Sequence, residues 1–302
     1  MEVLIIMKLL SVLGIGILRL FQSSFNKQSS KHLANANQYL KFGLYFEACA
    51  SVFALLYLCV NGFYGFNGPT VICSALMGTM FLLELTTSLK ALRNAPLALC
   101  TICALGGGIV LPAIFGIFFF NEPVTIWKWL GIVLFFISAY FLAPYEKKRI
   151  SIKKSTVFIL ILNFIINGFC GIIGKFFAVK LDNGNAAMFA CLSYFFAAVL
   201  FSAVLLVVWR KSYTSHKPAE PFLPKPVYFF GGAVGAVCAS IVFFTTVLSK
   251  TVSIVVLNTV PNAVCLVGCL LIDTFLFRAK LGVRQAIGAI LNVLATMVIV
   301  LL

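Results

Sequence analysis

Three carboxylates, Glu47, Glu84 and Asp273, stand inside or at the ends of long apolar runs. An ionisable group within a membrane span costs about 2.5–3.5 kcal/mol on insertion scales, so each is a functional candidate by default. Glu84 is the deepest, preceded by Met80-Phe81-Leu82-Leu83 and followed by Thr86-Thr87-Ser88. It shares a helix face with Ser88 at i, i+4 spacing. A carboxyl in such a setting can exchange protons near neutrality. Its bland alternative is a static inter-helix hydrogen bond or a partner for a lysine. Glu47 lies less deep, and Asp273 lies close to a helix end.

Neutral and basic groups form a second pattern. Asn163, Asn167, Gly171 and Lys175 recur every four residues, a single stripe on one helix. Amides in that position can hydrogen-bond a ligand or a neighbouring helix. Gly168, Gly171 and Gly174 permit close helix approach. Arg19 lies within the first apolar run, opposite Asn167 by repeat position, and is either a ligand-binding group or a partner for Glu47 or Glu84. Lys27 and Lys175 either bind a carboxylate or phosphate or snorkel to the membrane interface. Asn258 and Asn262 bracket Pro261, and a proline there frees a backbone carbonyl where a cavity lies. Tyr194, with Tyr45, Phe46 and Phe195, is either pocket-lining or one of many packed aromatics in a chain with 31 Phe.

The elements that must position these groups follow from composition. The 302-residue chain is 62% hydrophobic and 10% charged, against about 25% charged for a soluble domain. A bilayer supplies the missing apolar solvent. Ten runs are long enough to cross it: 3–23, 40–60, 70–90, 97–120, 126–144, 156–178, 186–209, 227–249, 253–277 and 282–302. The loops between them are short and carry breakers such as Asn61-Gly62, Asn67-Gly68-Pro69 and the Pro218–Pro226 stretch. No segment remains for a soluble domain. The first run is read as a span and not as a cleavable signal.

Several functions are excluded by the same inventory. The net charge of +15 sits in inter-helix clusters and not along a groove with stacking aromatics, so no nucleic-acid partner is expected. Most of the ten cysteines lie in or at the ends of apolar runs and act as small hydrophobes. Cys100 and Cys103 form a CxxC in an apolar setting that disfavours thiolate chemistry. The eight acidic residues and two histidines are scattered, so neither a metal centre, a cofactor nor an enzyme active site is expected.

Two halves are visible. A shift of 148 residues places Phe21, Lys27, Asn35, Asn37, Leu44 and Ala50 on Phe169, Lys175, Asn183, Asn185, Leu192 and Ala198. Later the shift grows to 157, matching Arg93 with Lys250 and Gly131 with Gly288. The chain is therefore read as two five-helix repeats, residues 1–150 and 151–302. Five helices per half invert one half relative to the other, the 5+5 inverted-repeat design of secondary carriers with a site near the midplane. The basic clusters around Lys27–Lys41, Lys90–Arg93, Lys147–Lys154, Arg210–Lys225 and Arg278–Arg284 fall on one side. The other side holds Lys128, Lys175, Lys180 and Lys250. That bias predicts both termini outside.

The run from Phe118 to Gly131, FFFNEPVTIWKWLG, has an aromatic stretch, Glu122, a polar spacer and a glycine opening the next helix. It resembles the drug/metabolite transporter superfamily, EamA-like branch. The second-half copy, FLFRAKLGVRQAIG from Phe275 to Gly288, keeps the glycine but has Ala279 at the glutamate position. Pro261 also stands where the family tends to place a proline in its ninth helix. The resemblance implies ten helices in a 5+5 arrangement, cytoplasmic termini, and a secondary carrier of metabolites or drugs, often an exporter. Glu122 itself is read as a helix-boundary residue favoured by the positive end of the fifth helix. The leading expectation is an alternating-access transporter of a small metabolite, proton-coupled if Glu84 titrates. It would sit in the cell membrane, as monomer or dimer. An exporter of lipid-linked intermediates or of many drugs is the nearest alternative, and a membrane-embedded enzyme the remote one.

Overall fold

The computed structural model describes residues 2–30, 32–33, 35–95, 97–122, 125–142, 154–181, 184–214, 222–275 and 282–301. The basic tract at 145–153, the stretch at 215–221, Pro123, Asn183 and Ala279 lie outside the described residues, as do the side chains of Lys27 and Asp273.

Every run expected to span is a helix. They are α1 (Glu2–Ser30), α2 (Ala36–Asn61), α3 (Gly68–Asn94), α4 (Leu97–Phe120), α5 (Ile126–Leu142), α6 (Lys154–Lys180), α7 (Ala186–Thr214), α8 (Lys225–Leu248), α9 (Ile254–Phe275) and α10 (Val283–Leu301). No strand occurs among the described residues. Nine of the described helices are long and apolar enough to cross a membrane, and α5 counts 17 residues. Local chemistry sets several ends. The Asn67 side chain accepts from Thr70 N–H at 2.9 Å at the start of α3. The Asn185 side chain accepts from Ala187 N–H at 2.9 Å at the start of α7. Gly62, with φ of 88°, turns the chain out of α2.

The burial pattern is that of a protein solvated by lipid. Large apolar side chains such as Leu56, Phe158, Ile161, Trp209 and Phe229 point outward, while Ser138, Asn163, Lys175, Asn262 and Asn292 are buried. A water-soluble helical domain would show the reverse. The architecture is thus all-helical and multi-pass.

The chain divides into two compact units, each drawing on both sequence halves. One comprises 1–20, 83–176 and 248–302; the other comprises 21–82 and 177–247. In the first unit α5 packs along α10. A Cβ at Gly131 would meet Ile299 and Ala295, and one at Gly288 would meet Phe141 and Leu142, so the two helices run antiparallel. Between those contacts Asn292 donates to the Ser138 hydroxyl at 3.1 Å, both fully buried. Also in this unit α4 packs on α9, and α4 meets α6 where Gly107 faces the Phe164 backbone and Gly168 faces Leu111.

In the second unit α2 packs along α7. Gly235 of α8 presses on the backbone of Phe46 and Ala50 in α2, and Gly78 of α3 presses on that of Ser193 and Ala197 in α7. Tyr57 stacks on Phe243 with centroids 4.7 Å apart, and its hydroxyl bonds that of Ser240 at 2.8 Å. Small residues at the contacts and polar groups between helices are what hold helices together when lipid removes the hydrophobic drive between them.

Candidate functional site

Within the first unit, the polar stripe of α6 runs along the edge of its close contact with α4, and Gly171 belongs to both. Gly107, Leu111 and Pro112 of α4 occupy the surface of α6 around Phe164, Gly168 and Gly171. The stripe Asn163, Asn167, Gly171, Lys175 covers about 18 Å of helix, at about 1.5 Å per residue. That is more than half of the roughly 30 Å hydrocarbon thickness.

Helix α9 supplies a matching stripe. Ile254, Asn258 and Asn262 also recur every four residues. Lys175 lies beside the beginning of α9, and Gly171 beside Asn258, whose amide nitrogen would stand 3.5 Å from a Cβ placed at Gly171. The two rows therefore run antiparallel and face each other. Asn258 and Asn262 are 8% and 5% exposed, so the amides point into protein and not into lipid.

Helices α1 and α3 close the row towards its other end. Gly16 of α1 sits on Pro261 and Val264, and Gly268 of α9 sits on Leu20. That parallel contact brings Arg19 to Asn262, with Nη1 donating to Oδ1 at 2.9 Å. The Arg19 guanidinium also acts electrostatically on the Glu84 carboxyl. One turn beyond Glu84 on α3, Thr87 and Ser88 accept from the Asn163 amide at 3.1 and 2.8 Å. The Asn167 amide in turn donates to the Asn163 carbonyl at 2.9 Å. The result is a polar seam lined by α1, α3, α6 and α9. Among the described residues it brings together Arg19, Glu84 and the amides of Asn163, Asn167, Asn258 and Asn262.

At its far end the seam is closed by an ion pair. Lys175 Nζ meets Glu122 Oε1 at 2.6 Å and donates to the carbonyls of Ser249 and Val252 at 2.6 and 3.1 Å. Glu122 Oε2 accepts from Ile254 N–H at 2.8 Å. Lys175 thus neither snorkels nor stands open; it is 5% exposed and fully engaged. Glu122 does sit at a helix start, but that of α9 and not of its own α5, because the chain reverses at Asn121 and throws its side chain back across α4.

Of the residues singled out by type and spacing, Arg19, Glu84, Asn163, Asn167, Lys175, Asn258 and Asn262 belong to this one unit. Glu47 and Tyr194 belong to the other. Glu47 is buried in α2 at 2% exposure. Tyr194 donates to the Cys238 carbonyl at 2.8 Å and stacks on Phe81 at 5.1 Å. Two features escaped sequence reasoning. The Ser138–Asn292 bond joins residues with nothing distinctive in their neighbourhoods. The Glu122–Ile254 contact uses a backbone amide, which leaves no signal in residue type.

No family model matches the chain, and no curated protein matches it. Solved structures do. One, described only as "Crystal structure of protein", superposes with a TM-score of 0.75 over 97% of this chain and 98% of its own, at 15% identity. At that identity the likeness speaks to the fold alone, and it extends over nearly the whole chain.

Proposed function

We propose that the chain is a secondary carrier that moves a small metabolite or drug across the cell membrane by alternating access, in the manner of the EamA-like drug/metabolite transporters. The observation that carries this reading is the polar seam. Neutral amides serve helix packing, but placing a guanidinium and a carboxylate, Arg19 and Glu84, inside a span is costly and marks a functional site by default. A secondary carrier needs such groups to replace the hydration shell of its cargo.

The two halves are proposed to be an inverted repeat, 1–150 against 151–302. Support comes from pairing: α2 with α7, α4 with α9 and α5 with α10 are each nth and (n+5)th helices. A twofold relation between five-helix halves generates such pairs.

A metabolite library screened by thermal shift on the purified protein tests the carrier reading. A ligand that stabilises the wild type should also drive uptake in proteoliposomes. Proton coupling rests on Glu84, and substrate-driven pH change in the vesicles should vanish in Glu84→Gln. Unaltered coupling in that variant rules Glu84 out as the proton carrier.

A further inference from the structure

Glu122 reaches α9 because of how α4 ends. Asn121 takes φ of 51°, in the left-handed region that asparagine tolerates. The Glu122 N–H then donates back to the Gly116 carbonyl at 3.0 Å. This reversal aims the carboxylate at a place with two positive features. One is the ammonium of Lys175, 2.6 Å away; the other is the first amide of α9, 2.8 Å away.

A second side-chain cap in the first turn of α9 is weak. Ser253 Oγ accepts from Val256 N–H only at 3.5 Å, at the limit of a hydrogen bond. First-turn amides without intrahelical partners and the helix dipole together attract an anion, and Lys175 adds a buried full charge. Lys175 also ties down the Ser249 and Val252 carbonyls, which belong to the segment leading into α9.

We infer that Lys175 and the amino-terminus of α9 form an anion site that Glu122 fills from within the chain, and that this filled site fixes how α9 is rotated about its axis. Ile254, Asn258 and Asn262 lie on one helical row, so holding the first sets the direction of the other two. Glu122 is thereby a positioning residue for the seam, acting through α9 and touching none of the seam amides itself. The inference is independent of what the protein carries, and its test needs no substrate.

In Glu122→Ala the site is empty of its own carboxylate and should accept formate, which is small enough to replace it. Two readouts decide. Thermal stability of Glu122→Ala should rise saturably with sodium formate but not with sodium gluconate at equal ionic strength, since gluconate is too large. Wild type and Glu122→Ala/Lys175→Ala should respond to neither salt specifically. Amide hydrogen exchange over residues 254–258 should be faster in Glu122→Ala than in wild type, and formate should slow it again. Equal effects of formate and gluconate, or exchange over 254–258 that the substitution leaves unchanged, overturn the inference. Should Glu122→Ala not fold, Glu122→Gln serves: it retains an acceptor for Ile254 N–H but gives Lys175 no charge. Faster exchange over 254–258 than in wild type supports the inference, and unchanged exchange overturns it.

Discussion

Replacing Lys175 by methionine keeps most of the length of the side chain and removes its charge and three donated contacts. The Glu122 carboxylate, 14% exposed, is then left with only the Ile254 amide. The Ser249 and Val252 carbonyls lose their donor. Breaking a buried pair by removing one partner costs about 3–5 kcal/mol. The carboxylate keeps one amide and the α9 dipole, which argues for the low end, about 3 kcal/mol. Lys175→Met/Glu122→Gln removes both charges and leaves an amide that still accepts from Ile254. The Ser249 and Val252 carbonyls lose their donor here too, but no charge is stranded, so its cost should be nearer about 1 kcal/mol, the low end for carbonyls left without a partner. The double variant is therefore expected to be more stable than the single one by about 2 kcal/mol, within the range of couplings seen for residues in contact. At about 2–4 °C per kcal/mol, thermal unfolding followed by tryptophan fluorescence resolves the difference. A double variant less stable than Lys175→Met would refute the account of this pair.

Three further substitutions test the packing around the seam. Gly107→Ala should cost about 1–3 kcal/mol or more, because its Cβ would meet the Phe164 backbone, which has no room to yield. Gly174→Ala, in the same kind of helix with open space around the site, should be neutral or stabilise by up to about 1 kcal/mol; denaturation midpoints of the pair report the contrast. Asn163→Leu removes the bonds to Thr87 and Ser88. It should cost only about 0.6–1.7 kcal/mol, the range for polar contacts between membrane helices, since Thr87 already donates to the Leu83 carbonyl.

Helix positions were legible in the sequence wherever breakers bound an apolar run. Helix α4 spans Leu97–Phe120, as expected between Pro96 and the Asn121-Glu122-Pro123 turn. Helix α1 instead continues past residue 23 to Ser30, and α7 past 209 to Thr214. Hydropathy reports where a helix leaves lipid, and the polar segments that follow contain no glycine or proline to end it. The α6 stripe was legible because four-residue spacing is a local property. Its partners were not. Arg19 and Asn262 are 243 residues apart, Glu122 and Ile254 are 132 apart, and such pairings depend on which glycines bring which helices together. Basic residues matched by repeat position, Lys27 and Lys175, suggested a shared ligand. Lys175 proves to be held by a carboxylate and two carbonyls of its own chain.

The central claim is that cargo is bound in the seam between α1, α3, α6 and α9. Uptake of a labelled ligand, identified by its stabilisation of the wild type, should be measured in proteoliposomes containing wild type, Arg19→Gln or Asn262→Ala. The claim predicts saturable uptake by wild type and at least about a tenfold loss of uptake in both variants, each still unfolding cooperatively, with a stability loss of about 1–3 kcal/mol from the broken Arg19–Asn262 bond. Full uptake by well-folded Arg19→Gln and Asn262→Ala would contradict it.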